Sequence, residues 1–545
     1  MSIEINTQAG TAVQIGAPIT EKKVTDVILQ ARDRHLYSAI TDCGAGGFSS
    51  AIGEMGADTG VRVELAKAPL KYQGLKAWEI WLSEAQERMV LAVPPDKLDE
   101  LLAICDIEEV EASILGTFTN DHSLTVLYND EIVADLDMDF LHDGRPNRTL
   151  EAVWLRRDAG TASNASTIAM QETPWIDIMK KLLSHPDIAS KEAVIRRYDH
   201  EVQGATVLKP LVGRLSYGPG DAAVLQPLLD EPTKAGIVLS NGINPLYGTI
   251  DPYHMALNAV DEALRNLTAV GGDITRASLL DNFCWGNPTD AEQLGTLVRA
   301  VKGCYDAAVG FGTPFISGKD SLNNEYRVDG TRLPVIPTLL ISAVGVIDDA
   351  ARTIDMSLKT PGNALYLVGK TGNELAGSHY LEVADDYTPR FETYVPRVDV
   401  AHAYATMKTL GEAIRMGLVR ACHDLSEGGL AIALAEMVIA SDASITLDLS
   451  HIHVSDIPDI PDISQEAHRD IQNIIRLFSE SPSRFLVEIA PEQWGVFERH
   501  MRGIADLTYL GDVNNTGQFV VRDEERELFS VPKHTLTQTW RGTQE

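Results

Sequence analysis

The sequence predicts a mixed α+β and α/β protein in which two copies of one lobe flank a single central domain. Three observations predict it. Thr41-Asp42-Cys43-Gly44-Ala45-Gly46-Gly47-Phe48, followed by Glu54-Met55, matches His423-Asp424-Leu425-Ser426-Glu427-Gly428-Gly429-Leu430, followed by Glu436-Met437, position for position. Further landmarks recur in the same order. Val13-Gln14-Ile15-Gly16 pairs with Leu367-Val368-Gly369, Ser83-Glu84 and Arg88 with Ser479-Glu480 and Arg484, and Ile114-Leu115-Gly116 with Tyr509-Leu510-Gly511. Ordered self-similarity of this kind is the signature of a repeated unit. Short strands and helices alternate with brief connections, as in a sheet with helices packed on it. The stretch between the repeats has no second copy.

These features divide the chain into a first lobe at 1–145, a linker with a helix at 146–196, a central domain at 197–355 and a second lobe at 356–540. A chain of 545 residues is too long for one core. In the first lobe the pattern predicts a strand at 12–16 and a helix at about 20–33 with Val24, Val27, Ile28 and Ala31 on one face. A glycine-rich turn at 41–47 then leads into a helix from Phe48 to Met55. Strands are expected at Ile80–Leu82, Val90–Val93 and Ala112–Phe118, with a helix from Pro95 to Cys105. In the central domain Asp251-Pro252 is an N-cap followed by proline at the first helical position. The helix it opens buries Ala256, Val260, Ala263, Leu264 and Leu267 and leaves Asn258, Asp261, Glu262 and Arg265 on the solvated side. A second helix after Pro288 is expected to bury Leu294, Val298, Val301 and Tyr305.

Polar clusters follow hydrophobic runs at 281–288 (DNFCWGNP) and 317–325 (SGKDSLNNE). Buried strands ending at Leu280 and Ile316 deliver Asp281 and Asn282, and Gly318 to Ser321, at their carboxyl ends, where open α/β sheets bind ligands. Gly318 lets backbone approach an anion, Lys319 is a charge-assisted donor, and Asp320 is a magnesium-type carboxylate. The pattern reads as a phosphate and Mg²⁺ site with a nucleotide as ligand. It is not a Walker A loop, and no GxGxxG opens a helix after a strand. Near Asp42, the amides of the glycine-rich turn meet a helix start, which suits an anion.

A formal net charge of −32 excludes a nucleic-acid surface, which needs clustered Lys and Arg. No apolar run reaches transmembrane length, and the N-terminus has no secretory pattern, so no membrane association is expected. Five cysteines without CxxC fit free thiols in a reducing cytoplasm.

AVQIG at 12–16, TDCGAGGFSSAIGEM at 41–55, SEAQERM at 83–89, DNFCWGNP at 281–288, GKDSLNNE at 318–325 and HDLSEGGL at 423–430 carry a family resemblance. From residue 11 to about 535 the chain resembles the synthetase part of phosphoribosylformylglycinamidine synthase, in the superfamily of aminoimidazole ribonucleotide synthetase. That resemblance implies an aminoimidazole-ribonucleotide-synthetase-like fold, with two C-terminal-type domains flanking one ATP-binding-type domain. It implies an ATP- and Mg²⁺-dependent ligase that activates the formamide oxygen of a small ribonucleotide, with ammonia from a glutaminase subunit or domain. By the same resemblance Gln14, Glu84, Ala85, Gln86 and Ser321 contact substrate, Ala85 through backbone alone. Asp281 and Gly318 contact nucleotide, and Asp42 holds magnesium. Lys319 stands where the family has a metal-binding asparagine, which shifts that ligand to Asp320 and leaves Lys319 for the nucleotide. The family's catalytic histidines would precede Met1, in an N-terminal synthetase domain expected to be missing, so His254 and His423 are read as structural. A nucleotide-binding scaffold without turnover is the alternative. One-lobed members of the superfamily do not account for two flanking copies.

Overall fold

The computed structural model describes residues 16–70, 74–155, 173–197, 201, 204–227, 232–384, 393–455, 457 and 464–542. They fall into two compact units, Met1–Thr149 and Leu150–Glu545.

In the first unit the helix Pro18–Asp33 packs on Leu98–Ile107 through Val27, Ala31, Leu101, Ile104 and Cys105. Strand Ala39–Asp42 pairs antiparallel with Met89–Ala92, setting Asp42 opposite Met89. A separate four-stranded sheet has the order Gly116–Phe118, Val61–Glu64, Ser123–Tyr128, Glu131–Asp137, with Val61–Glu64 and Ser123–Tyr128 parallel. Helix Phe48–Met55 buries Phe48, Ala51 and Ile52 in the core of this sheet. Two expectations are corrected. Ile80–Leu82 belongs to a helix, Ala77–Leu82, because Glu79 accepts the Lys76 amide at 2.7 Å and closes its first turn. A three-residue apolar run cannot distinguish strand from buried helix. The strand expected at 112–118 is confined to Gly116–Phe118.

The C-terminal lobe repeats this plan. Its seven-stranded sheet runs Ala421–Asp424, Phe485–Ile489, Ala364–Val368, Leu507–Asn514, Ser444–Asp448, Gln518–Asp523, Arg526–Pro532. Asp424 lies opposite Phe485 as Asp42 lies opposite Met89, and the last four strands reproduce the order and directions of the first unit's sheet. Ala364–Val368 joins the two halves of this sheet. Its sequence counterpart begins at residue 12, and Gln14 with most of that expected strand lies outside the described residues.

The central domain forms a six-stranded sheet in the order Phe315–Ser321, Asp273–Cys284, Thr338–Ile347, Gly236–Ile243, Ala222–Leu225, Thr206–Leu208. Asp273–Cys284 and Phe315–Ser321 are its parallel pair. Helix Pro252–Ala269 starts as expected, with the Asp251 carboxylate accepting the Tyr253 amide at 3.0 Å. Its polar side is not solvated. Asn258, Asp261, Glu262 and Arg265 are all buried, because that side packs on the C-terminal lobe while the apolar side covers the sheet.

Helix Ala291–Phe311 also departs from expectation. Val298, Val301 and Tyr305 face solvent at 53, 48 and 63% exposure, and the buried face is Gly295, Ala300, Gly303, Cys304 and Ala307. Small residues win because the helix lies close to its neighbour. A Cβ on Gly303 would stand 2.5 Å from the Tyr253 carbonyl oxygen.

Candidate functional site

The parallel pair sets the first cluster. Asp281 is the register partner of Gly318, Asn282 of Lys319, Phe283 of Asp320 and Cys284 of Ser321. Asp281 and Gly318 to Ser321, expected as loop residues beyond the strands, lie within them. Beyond the pair the backbone stays joined. Trp285 N donates to Ser321 O at 3.0 Å and Asn324 N to Trp285 O at 2.9 Å. The buried Trp285 ring donates through Nε1 to Thr296 Oγ1 at 3.0 Å, anchoring the segment to helix Ala291–Phe311.

Strand alternation divides the predicted ligands. Asp281, Gly318 and Asp320 share one face; Lys319 and Ser321 share the other, where Lys319 Nζ donates to Ser321 Oγ at 3.3 Å. A Cβ on Gly318 would stand 1.8 Å from Asp281 Oδ1, so the carboxylate occupies the place of a side chain. Burial pushes the Asp281 carboxyl above its ordinary range and the Asp320 charge adds to that, while the Lys319 amide pulls the other way.

The first unit brings Asp42 to the 83–86 loop. Gly47, at φ +55°, would carry a Cβ 2.3 Å from the Ser83 carbonyl oxygen, so only glycine allows this approach. Arg88 donates to that same oxygen at 2.6 Å and its guanidinium stacks 3.9 Å over the Phe48 ring. Cys43 N donates to Arg88 O at 3.0 Å, and Ala85 N to Cys43 O at 3.4 Å. Glu84, Ala85 and Gln86 therefore lie beside the turn that carries Asp42. Asp42 is exposed, its Oδ1 accepting the Gly44 amide at 2.7 Å.

The second copy has the same skeleton with its polar groups engaged internally. Gly429, at φ +63°, would carry a Cβ 2.5 Å from Ser479 O, and Arg484 donates to Ser479 O. Asp424, the counterpart of Asp42, accepts from Arg265 at 3.2 Å, and the Arg265 guanidinium is shared with Asp261. Asp261 also accepts Ser483 N at 3.0 Å and Ser483 Oγ at 2.6 Å. Glu480, the counterpart of Glu84, accepts Tyr247 OH at 2.6 Å, Gly428 N at 2.8 Å and His379 N at 3.0 Å. His423 lies between Asp221 Oδ1, 2.7 Å from Nδ1, and Glu436 Oε2, 3.1 Å from Nε2. Sequence reasoning did not single out Asp221 or Tyr247, named Glu436 only as a landmark of the repeat, and misread Asp261 and Arg265, whose four-residue spacing on one helix was the available signal.

These groups set a pH dependence. Burial opposes the charged His423 ring, but Asp221 and Glu436 outweigh it and hold its pKa well above the ordinary histidine value. A folded-state value above the unfolded ~6.5 stabilises fully below pH ~6.5 and loses that stabilisation as pH rises through the folded value. Burial, reinforced by Asp221 and opposed by Arg265, pushes Asp424 up to about 7, which has the same sign. The unfolding temperature should therefore fall from pH ~6.5 to ~9, and His423→Gln should flatten the slope. A temperature that rises over this interval would refute the assignment.

Comparison with known proteins agrees with this architecture. The AIR synthase related protein C-terminal domain family matches residues 1–129 and 360–524, and the corresponding N-terminal domain family matches 219–347. The phosphoribosylformylglycinamidine synthase subunit PurL of Methanopyrus kandleri is 37% identical over 441 residues, 80% of this chain and 58% of that protein. That of Synechocystis sp. is 32% identical over 554 residues, 97% of this chain and 68% of that protein. The PurL of T. maritima complexed with ATP superposes with a TM-score of 0.59 at 19% identity, covering 92% of this chain and 68% of that one. Its complex with FGAR gives the same score and covers 66% of the T. maritima chain. The chain spans 58, 65 and 60% of the length of three of these curated relatives. A C-terminal-type lobe at each end of one central domain, with about one-third identity over nearly the whole chain, shows that it belongs to the phosphoribosylformylglycinamidine synthase PurL family.

Proposed function

We propose that this chain supplies nucleotide- and substrate-binding surface to the ATP-dependent conversion of formylglycinamide ribonucleotide to formylglycinamidine ribonucleotide in purine biosynthesis. The observation that carries the reading is the contrast between the two copies. Asp42 is exposed beside Glu84, Ala85 and Gln86, whereas Asp424 and Glu480 are buried and hydrogen-bonded within the protein. The open copy is the one to bind substrate. The closed copy is the one to serve as scaffold.

ATP and Mg²⁺ fit the residues present. Gly318 leaves space that the Asp281 carboxylate fills, and the mutual repulsion of Asp281 and Asp320 favours a cation on their shared face. Asp42 offers a further exposed carboxylate. ATP would supply the phosphoryl group that activates the formamide oxygen, and Mg²⁺ would offset its phosphate charge. Lys319, on the other face, suits a phosphate or ribose oxygen and not the metal.

The reading includes partners. Ile237, Leu239 and Ile243 lie 36, 46 and 37% exposed along one strand, alternating with buried Val238, Ser240 and Gly242. An apolar sheet face of this kind favours a protein cover, for which we assign a further synthetase domain. A glutaminase would deliver ammonia. A cytoplasmic setting fits the free cysteines, and no helix among the described residues is long and apolar enough to cross a membrane.

The test is coexpression with a polypeptide supplying that synthetase domain, followed by an ammonia-dependent assay of amidine formation. Asp281→Ala should lower the rate by ~100-fold or more if it helps position nucleotide and metal. A stable complex without turnover, or one indifferent to Asp281→Ala, would refute the reading. Mg-ADP binding without turnover would favour the scaffold.

A further inference from the structure

Away from these residues, two histidines and an aspartate meet where the segment after helix Trp175–Leu183 packs on helix His379–Val383. Asp187 Oδ2 lies 3.2 Å from His379 Nε2 and 3.8 Å from His185 Nδ1. The other nitrogen of each ring faces another carboxylate. His379 Nδ1 is 3.4 Å from Glu480 Oε1, and His185 Nε2 is 3.4 Å from Glu382 Oε2. The two rings meet edge to face with centroids 5.0 Å apart. One ligand atom from each of His185, Asp187 and His379 lies within 4.8 Å of the others.

The three donor atoms converge closely enough for a divalent cation to fit between them. Metal-to-nitrogen and metal-to-oxygen bonds of about 2.0–2.2 Å put the donors of a tetrahedral site roughly 3.2–3.6 Å apart, close to the spacings around Asp187 Oδ2. A ligating histidine almost always donates its second ring N–H to a carboxylate, which fixes the tautomer and ring orientation. Each ring has a carboxylate oxygen 3.4 Å from its second nitrogen, Glu480 for His379 and Glu382 for His185, although His379 Nδ1 makes no hydrogen bond among the described residues.

We propose that His185, Asp187 and His379 form a divalent transition-metal site of the zinc class, with Glu480 and Glu382 orienting its two histidines. Two imidazoles and one carboxylate suit zinc, cobalt or nickel; magnesium and calcium prefer all-oxygen sets. Binding displaces two contacts, the Asp187 amide donating to His185 Nδ1 at 3.3 Å and the hydrogen bond between His379 Nε2 and Asp187 Oδ2 at 3.2 Å. Three protein ligands leave a fourth position for water or a small ligand. Asp187 is 62% exposed at its side chain and also lines a cavity of about 290 Å³ with Lys191, Glu427 and Glu436, so the ion has a way in. The site would tie the segment preceding the central domain to the C-terminal lobe, independently of the activity proposed above.

The experiment is calorimetric titration of the chelator-treated full chain with Zn²⁺ alone, with Co²⁺ absorption as a second readout. The expected result is one equivalent of Zn²⁺ per chain and a tetrahedral or five-coordinate Co²⁺ spectrum. His379→Gln and Asp187→Asn should each weaken Zn²⁺ binding by ~100-fold or more, and Glu382→Gln by about 10-fold through loss of ring orientation. Asp187→Asn changes an exposed side chain, so its effect is readable even if His379→Gln impairs folding. No stoichiometric uptake by the wild-type chain, or equal uptake by wild type and Asp187→Asn, would overturn the proposal.

Discussion

Arg265→Leu is expected to cost about 3–5 kcal/mol, because it leaves two buried carboxylates without their cation. Arg265 is buried between Asp261 and Asp424 and also donates to the Leu425 carbonyl oxygen at 3.1 Å. Asp261 and Asp424 repel each other once the guanidinium is gone, and each must be protonated or hydrated to stay in the fold. Ser483→Ala, which removes only one donor to Asp261, should cost about 1–2 kcal/mol by comparison. Urea unfolding of both variants at neutral pH measures the difference. A penalty for Arg265→Leu no larger than that for Ser483→Ala would show that the guanidinium is not what holds the central helix to the C-terminal lobe.

The second large effect is expected at Gly213, where alanine should destabilise the chain by about 2–4 kcal/mol. Gly213 has φ +81°, which an L side chain tolerates poorly, and its Cβ would stand 2.0 Å from the Ala440 carbonyl oxygen. That obstacle is backbone at the end of the buried helix Gly429–Ala440, so it cannot swing aside. Strain at the positive φ and overpacking at the contact add. Gly362→Ala is the matched control, since Gly362 also has a positive φ, +91°, but no atom within 4 Å of a Cβ. The difference between the two variants in thermal denaturation isolates the packing contribution. Equal losses would mean that strain alone explains both.

Much of the fold was readable because the repeat announces itself. The glycine-rich turn needs Gly47 and Gly429 where backbone crosses backbone, and Arg88 and Arg484, two residues before Val90 and Leu486, brace the facing loops, so these landmarks survive in both copies. Other elements were not readable, for reasons that are also physical. Ile80–Leu82 is too short to show a period, and a capping interaction from Glu79 decided for helix. The side of helix Pro252–Ala269 that carries Asp261 and Arg265 looks solvated in any helical projection. Only the contact with a lobe more than 150 residues away in sequence reveals its burial. The same limit applies to helix Ala291–Phe311, where close packing selected glycine and alanine over valine and tyrosine. Within the candidate site, Asp281 and Gly318 could be paired from the sequence, because both follow apolar runs. The division of Asp320 from Lys319 onto opposite faces depends on strand register, which the polar string 317–325 does not specify.

The closed network around Asp424 and Glu480 changes what evolution can act on in a duplicated architecture. A lobe whose carboxylates are already committed to holding its neighbour becomes a buttress: errors there are felt as loss of folded protein before any loss of chemistry. Its twin, with the equivalent groups uncommitted, can drift toward new ligands without endangering the joint. Duplication has in this way separated the freedom to specialise from the duty to support.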